Sequence, residues 1–176
     1  MNGEPLPIDH GFPLRILMPD VYGQKQPKWL VGINITDVYR QGYWETLGGS
    51  DEAIINPTTR IEMPSRGDTI LAGQPVPLAG IAFSDASGVV AVEVSLDAGQ
   101  TWLPAEMLPG PNNSVWTLWV FRWENPQPGE YRLVARAIDG NGRRNGIRGA
   151  EDRLLTGLFP DGTNMADNIN ITVVAG

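Results

Sequence analysis

The sequence predicts an all-β protein, and three observations carry that prediction. Helical 3.6-residue periodicity is hard to find anywhere along the 176 residues. Short runs of β-branched and aromatic residues recur at even intervals from Ile61 onward. The 21 glycines and 15 prolines fall between those runs as turn signals.

The strands follow in order. "TILAG" (69–73), "PVPLAGIAFS" (75–84), "GVVAVEVSLD" (88–97), "QTWLPAEM" (100–107), "SVWTLWVFRW" (114–123), "GEYRLVARAID" (129–139) and "NINITVVA" (168–175) read as about seven strands. Their number and spacing fit an immunoglobulin-like β-sandwich over residues 61–176. Alternation assigns faces: Val90, Val92, Val94 and Leu96 share one side of their strand, and Tyr131, Leu133, Ala135 and Ala137 share one side of theirs. The run 114–123 is apolar on both sides, with Trp116, Leu118 and Val120 against Trp119, Phe121 and Trp123. Such a strand is expected to be buried on both faces, one in the sandwich and one against another domain or subunit.

Residues 1–45 have a different character. "LRILMP" (14–19) and "WLVGINITD" (29–37) read as strands flanking a turn-rich connection, which makes this a β-rich partial segment. Residues 46–60 read as a crossing segment. The 29 residues from Asp139 to Asp167 are glycine-rich and carry Arg143, Arg144, Arg148 and Arg153. They are too long for a hairpin loop and read as an excursion over a neighbouring surface.

Composition excludes several functions. A net charge of −7 argues against a nucleic-acid partner, which needs a basic surface. Without cysteine there is no disulfide, thiolate nucleophile or Cys-based metal site, and one histidine cannot form a His cluster. No stretch approaches the roughly 20 apolar residues of a membrane span, and the N-terminus lacks the pattern of a signal peptide.

Four motifs bear on chemistry. "SLDAGQTW" (95–102) has the Asp-box pattern of propellers, but it occurs once, so a structural hairpin is the better reading than a glycan-active propeller. The triplets at Asn34, Asn112 and Asn170 fit a glycosylation pattern, yet two lie in predicted strands. The adjacent acids Asp51–Glu52 and Glu151–Asp152 read as solvated loops, since a catalytic pair needs a set distance across a cleft. The fourth is "NGEPLPIDHGFPLRILMPDVYGQKQPKWL" (2–30), where His10, Arg15, Lys25 and Lys28 punctuate a segment stiffened by proline. Convergent His, Arg and Lys on rigid backbone suit a phosphate or other polyanion, and a solvated hairpin with a stray histidine is the equal alternative.

That last stretch resembles the pattern that ends the molybdenum-cofactor domain of sulfite oxidase-type enzymes, the group that includes plant nitrate reductase. "LAGIAFSDASGVVAVEVSLDAGQTW", "VWTLWVFRW" and "GEYRLVARAIDGNG" resemble the same family's dimerisation domain. The resemblance implies that His10, Arg15 and Lys28 hold the pterin and its phosphate, with backbone contacts at Gln26 and Pro27. It implies a homodimer through the sandwich and a C-terminal piece of a longer molybdopterin oxidoreductase, whose upstream cofactor domain supplies the metal-ligating cysteine. This chain alone is then expected to bind no cofactor and catalyse nothing. The resemblance leaves the compartment open, although relatives of this kind are often exported.

Three positions depart from the family pattern. Asp20 stands at a glycine, Pro27 at a valine, and Asp161 where sulfite-oxidising members carry an arginine. The last departure sets sulfite in doubt as the substrate. A stand-alone immunoglobulin-like binding or adhesion module without cofactor is the alternative reading.

Overall fold

The computed structural model describes residues 2–146 and 165–176. After residue 57 the chain forms two facing sheets. One holds β1 (Thr58–Met63), β3 (Val76–Phe83), β7 (Thr117–Trp123) and β6 (Glu106–Leu108), in the order β1-β3-β7-β6. The other holds β2 (Thr69–Leu71), β9 (Asp167–Val174), β8 (Gly129–Asp139), β4 (Val89–Ser95) and β5 (Leu103–Pro104), in the order β2-β9-β8-β4-β5. Only β2 and β9 run parallel among these pairs.

The sandwich is as the sequence predicts in kind, with nine described strands rather than about seven. One addition is β1, whose alternating Thr59 and Ile61 are buried and which begins ahead of residue 61. The other comes from the 100–107 run, which splits into β5 on β4 and β6 on β7. Pro104 has no N–H with which to continue the ladder, and the chain crosses between sheets just beyond it. A register shift between Val89 and Ala91 also alters one face. It turns Val89 toward the core and leaves Val90 exposed, while Val92 and Val94 are buried as expected.

Trp119 is the largest fully buried side chain. Its indole lies where a Cβ on Gly80 would come within 2.5 Å of the ring, so only glycine fits there. Its Nε1–H donates to Thr59 Oγ1 at 3.0 Å, and Thr59 Oγ1 donates to the Ile81 carbonyl at 3.0 Å. Tyr131 packs edge-on against Trp123 and donates its hydroxyl to the Gln127 carbonyl at 3.0 Å, the tyrosine-corner arrangement of immunoglobulin-like sandwiches.

With Thr117, Trp119 and Trp123 inward, the other side of β7 faces out. Trp116 and Leu118 are each 51% exposed, so the second face expected to be buried is open in this chain. Leu108 is exposed on the neighbouring β6 and Met63 on β1 beyond β3, and half-buried Ile81 stands opposite Leu118.

Residues 14–19 and 29–37 form no strands, contrary to the sequence reading. They run extended, and among the described residues the one backbone bond between them is Leu30 N–H to Leu14 O (2.9 Å), with Ile16 N–H on Pro27 O (3.0 Å) just ahead of the second stretch. The physical reason is a missing neighbour. Val31 and Ile35 are almost wholly exposed, and no adjacent strand takes up their backbone. The chain then makes one helical turn, α1 (Tyr43–Thr46), where the crossing segment begins.

The Asp-box is a structural hairpin. Asp97 accepts hydrogen bonds from Ser95 Oγ, from Thr101 Oγ1, and from the Gln100 and Thr101 amides. Trp102 carries the Arg136 guanidinium 3.9 Å from its ring centroid, and Arg136 pairs with Glu93. The bond from Ser95, followed by those from Thr101, holds the Asp97 carboxyl down at about 2. An unfolded aspartate titrates near 3.9, so its contribution is complete above that value and is lost as pH falls through about 2. Asp97→Ala is expected to cost about 1–2 kcal/mol at neutral pH. Urea titrations from pH 7 downward should show the gap from wild type narrowing below about pH 4.

Candidate functional site

The N-terminal strip is built around a single 3-10 turn, Ile8–His10. Gly11 closes it at φ +110°, with its N–H on the Ile8 carbonyl at 3.1 Å. A side chain at Gly11 would stand 3.0 Å from Lys28 Cβ and 3.2 Å from Arg15 Cβ. Glycine therefore lets the stems of both cations lie directly against the turn.

Three consecutive carbonyls of the turn each receive a different side chain. Ile8 O accepts Trp29 Nε1–H at 2.8 Å, Asp9 O accepts the Lys28 ammonium at 2.8 Å, and His10 O accepts Arg15 Nη1–H at 3.3 Å. This brings His10, Arg15 and Lys28 together on one strip. Arg15 Nε is buried and has no hydrogen-bond partner, a costly position for a charged donor. Gln26 and Pro27 use their polar groups inside the segment. Gln26 Nε2 donates to Met18 O and Val21 O, its N–H donates to Gly23 O, and the Pro27 carbonyl accepts from Ile16.

Asp20 adopts φ +68°, the left-handed region that glycine fills without strain and that aspartate tolerates. Its carbonyl accepts the Ile55 N–H at 2.9 Å, next to Tyr22 N–H on Ala53 O at 2.7 Å. A second tie is the Lys25 ammonium, which bridges Glu45 and Asp51, with the Tyr39 hydroxyl on Asp51. The hydrogen bond from Lys25 holds the Glu45 carboxyl below its usual range, and the same bond raises the Lys25 ammonium. Asp51 is thus a structural acid.

The arginines of the excursion divide. Arg143 forms a buried ion cluster with Asp85 and Asp139, and Ser84 donates to the latter. Burial works to raise the Asp85 carboxyl, but hydrogen bonds from Ser87 and the Arg143 guanidinium outweigh it and hold Asp85 below its usual value. Arg143 therefore anchors the 139–143 turn. Arg148, Arg153, Asp161 and the Glu151–Asp152 pair lie outside the described residues. Among the described residues, no three or more His, Asp or Glu side chains converge as a metal-ligand set. No helix among them is long and apolar enough to cross a membrane.

Sequence reasoning found the basic residues of the strip but not the part played by Trp29. The adjacency of Lys28 and Trp29, with Gly11 upstream, was the available signal.

The family model of the oxidoreductase molybdopterin-binding domain matches residues 1–44. Human mitochondrial sulfite oxidase is 34% identical over 163 residues, an alignment that covers 79% of this chain and 30% of the human protein. An uncharacterised oxidoreductase of Bacillus subtilis is 51% identical over 47 residues, covering 27% of this chain and 24% of that protein. In fold, the chain resembles the crystal structure of the sulfane dehydrogenase SoxCD from Paracoccus pantotrophus, with a TM-score of 0.74 at 23% identity over 95% of this chain and 46% of that one. The chain spans less than a third of the length of the human relative.

The backbone at residue 20 gives a local test. Asp20→Val places a β-branched side chain at positive φ, at a cost of roughly 1–2 kcal/mol. Amide exchange at Ile55 and Tyr22 should accelerate about tenfold, while Asp20→Gly leaves it within about threefold of wild type.

Proposed function

This chain belongs to the sulfite oxidase-type family of molybdopterin oxidoreductases, and from that premise we propose that it supplies two parts of such an enzyme. One is the last pterin- and phosphate-contacting strip of the cofactor domain. The other is the domain through which two copies associate. When bound, the molybdenum cofactor supplies oxygen-atom transfer to or from a small oxo-substrate, with electrons passed to a separate acceptor.

The observation that carries the first part is Arg15 Nε, a buried donor without a partner, on a guanidinium that bonds His10 O next to the Asp9 O that holds the Lys28 ammonium. A phosphate oxygen satisfies that donor and gains a charge-assisted bond from a planar guanidinium. Lys28 adds a point charge with two further N–H donors beyond the one on Asp9 O. His10 is exposed and suits a polar edge of the pterin. Gln26 and Pro27 keep the backbone between residues 18 and 28 in place beside the ligand.

The metal-ligating thiolate comes from outside these 176 residues, which contain no cysteine. On this reading the chain by itself turns over no substrate. Asp161, at the place of a substrate-binding arginine, would repel a sulfite anion, so the reading does not extend to sulfite. The exposed Val31, Ile33 and Ile35 support a further strand of the cofactor domain lying against residues 29–37.

The second part rests on the outer face of the β1-β3-β7-β6 sheet. Met63, Leu108, Trp116 and Leu118 are exposed there, beside the ion pairs Arg60–Glu62 and Arg122–Glu124. An apolar centre with a charged rim is the anatomy of a subunit interface, and a second copy of the chain is its proposed occupant.

Two measurements check these parts. In the full-length enzyme, Arg15→Ala and Lys28→Ala are each expected to weaken retention of the molybdenum cofactor about tenfold or more, read as cofactor content after gel filtration. Unchanged content overturns the strip. In sedimentation of this chain, wild type should be a dimer, and Leu118→Glu should be a monomer with unaltered circular dichroism. A wild-type monomer at high concentration overturns the interface.

A further inference from the structure

We infer that Trp29 is the positioning residue of the basic strip, holding the Lys28 ammonium where a phosphate oxygen must meet it. This rests on the cofactor-phosphate reading of the strip.

Two adjacent side chains in an extended segment point to opposite sides. Lys28 and Trp29 nevertheless both reach the 8–10 turn, Lys28 at Asp9 O and Trp29 at Ile8 O. The backbone accomplishes this with φ +54° at Trp29. For a bulky aromatic residue that conformation is strained, and it persists only where surrounding contacts over-determine it. Here the contact is the indole N–H on the Ile8 carbonyl at 2.8 Å.

The result is a platform for one charge. Lys28 Nζ lies 4.4 Å from the centroid of the Trp29 ring, within the range of a cation–π contact. The same ammonium is also tethered by Asp9 O. A lysine on a four-carbon stem otherwise samples many rotamers, and fixing it beforehand removes that loss from ligand binding. The ring leaves the remaining N–H donors of Lys28 free for an anion. Trp29 itself is half exposed, so burial of the ring does not account for its strained backbone.

The test uses this chain and inorganic pyrophosphate as the probe. In wild type, the Lys28 methylene protons next to Nζ should be shifted upfield in NMR spectra by the indole ring current. Trp29→Leu should abolish that shift, and Trp29→Phe, which keeps a ring but loses the N–H, should retain part of it. Pyrophosphate affinity by calorimetry should fall about tenfold in Trp29→Leu and about threefold in Trp29→Phe. On a Lys28→Met background, Trp29→Leu should change the affinity less than twofold, whereas a merely structural role would cost the same tenfold there. Wild-type Lys28 shifts equal to those of Trp29→Leu, or equal affinity losses on both backgrounds, overturn the assignment. A wild-type chain that keeps the Lys28 shift but binds no pyrophosphate removes the phosphate reading and leaves the placement of Lys28 by Trp29 supported.

Discussion

The sandwich depends on the burial of one indole. Trp119 fills the space left by Gly80 and ends its N–H on Thr59, so a single side chain spans β1, β3 and β7. Burying an indole is favourable in water only if its donor finds a partner. The hydroxyl of Thr59 provides that partner, and Thr59 in turn is fixed by Ile81 O. Because the strand period is two, placing Trp119 inward also decides what lies outward: Trp116 and Leu118. The apolar outer face is therefore a consequence of how the core is closed. A sequence that made β7 apolar on one side only would build the same core without the second surface.

The N-terminal strip solves a different problem, that of gathering positive charge in a chain of net charge −7. Acidic side chains would neutralise the cations if they stood beside them. Backbone carbonyls instead orient Lys28 and Arg15 with partial charges, through Asp9 O and His10 O. Such an acceptor fixes geometry without cancelling the charge, so both groups stay available to an anion. Lys25 shows the contrast. It is paired with the carboxylates of Glu45 and Asp51 and serves as a structural tie, although sequence alone placed it with the other basic residues. The distinction between a carbonyl-held and a carboxylate-held lysine needs coordinates.

What could be read in advance follows the same division. The strand 129–139 was legible because Leu133, Ala135 and Ala137 share one face and are all buried. The Asp-box hairpin was legible because its hydrogen bonds are local. Three features were not. The shift between Val89 and Ala91 inserts an irregularity that no residue type announces. The transfer at Ala105 depends on which sheet has a free edge. The stretches 14–19 and 29–37 have strand-forming residues, but a strand needs a neighbour, and these share a single backbone bond, Leu30 N–H to Leu14 O. In the strip, residue type and spacing pointed to His10, Arg15, Lys25 and Lys28 together, and only the family resemblance set Lys25 apart, while the part of Trp29 was not legible, since it depends on a positive φ and on a carbonyl 21 positions away.

The strip and the sandwich are joined by a short run of hydrogen bonds. Ala53 O and the Ile55 amide bond to Tyr22 and Asp20, the Asn56 amide donates to the Tyr22 hydroxyl at 3.1 Å, and Pro57 O accepts from Asn145 Nδ2 at 2.7 Å. Asn145 also receives the Ala137 amide of β8 at 2.7 Å. Residues 53–57 are thus held by the strip at one end and by the core of the sandwich at the other, and Ala53, Asn56 and Pro57 are buried between. A connection of this kind has few torsions left to vary, because its backbone donors and acceptors are committed on both sides. If the sandwich joins two copies, this linkage carries the orientation set by that association into the segment that leads to the strip. Asp20 matters here for its backbone rather than its charge: its left-handed φ is what aims its carbonyl at Ile55.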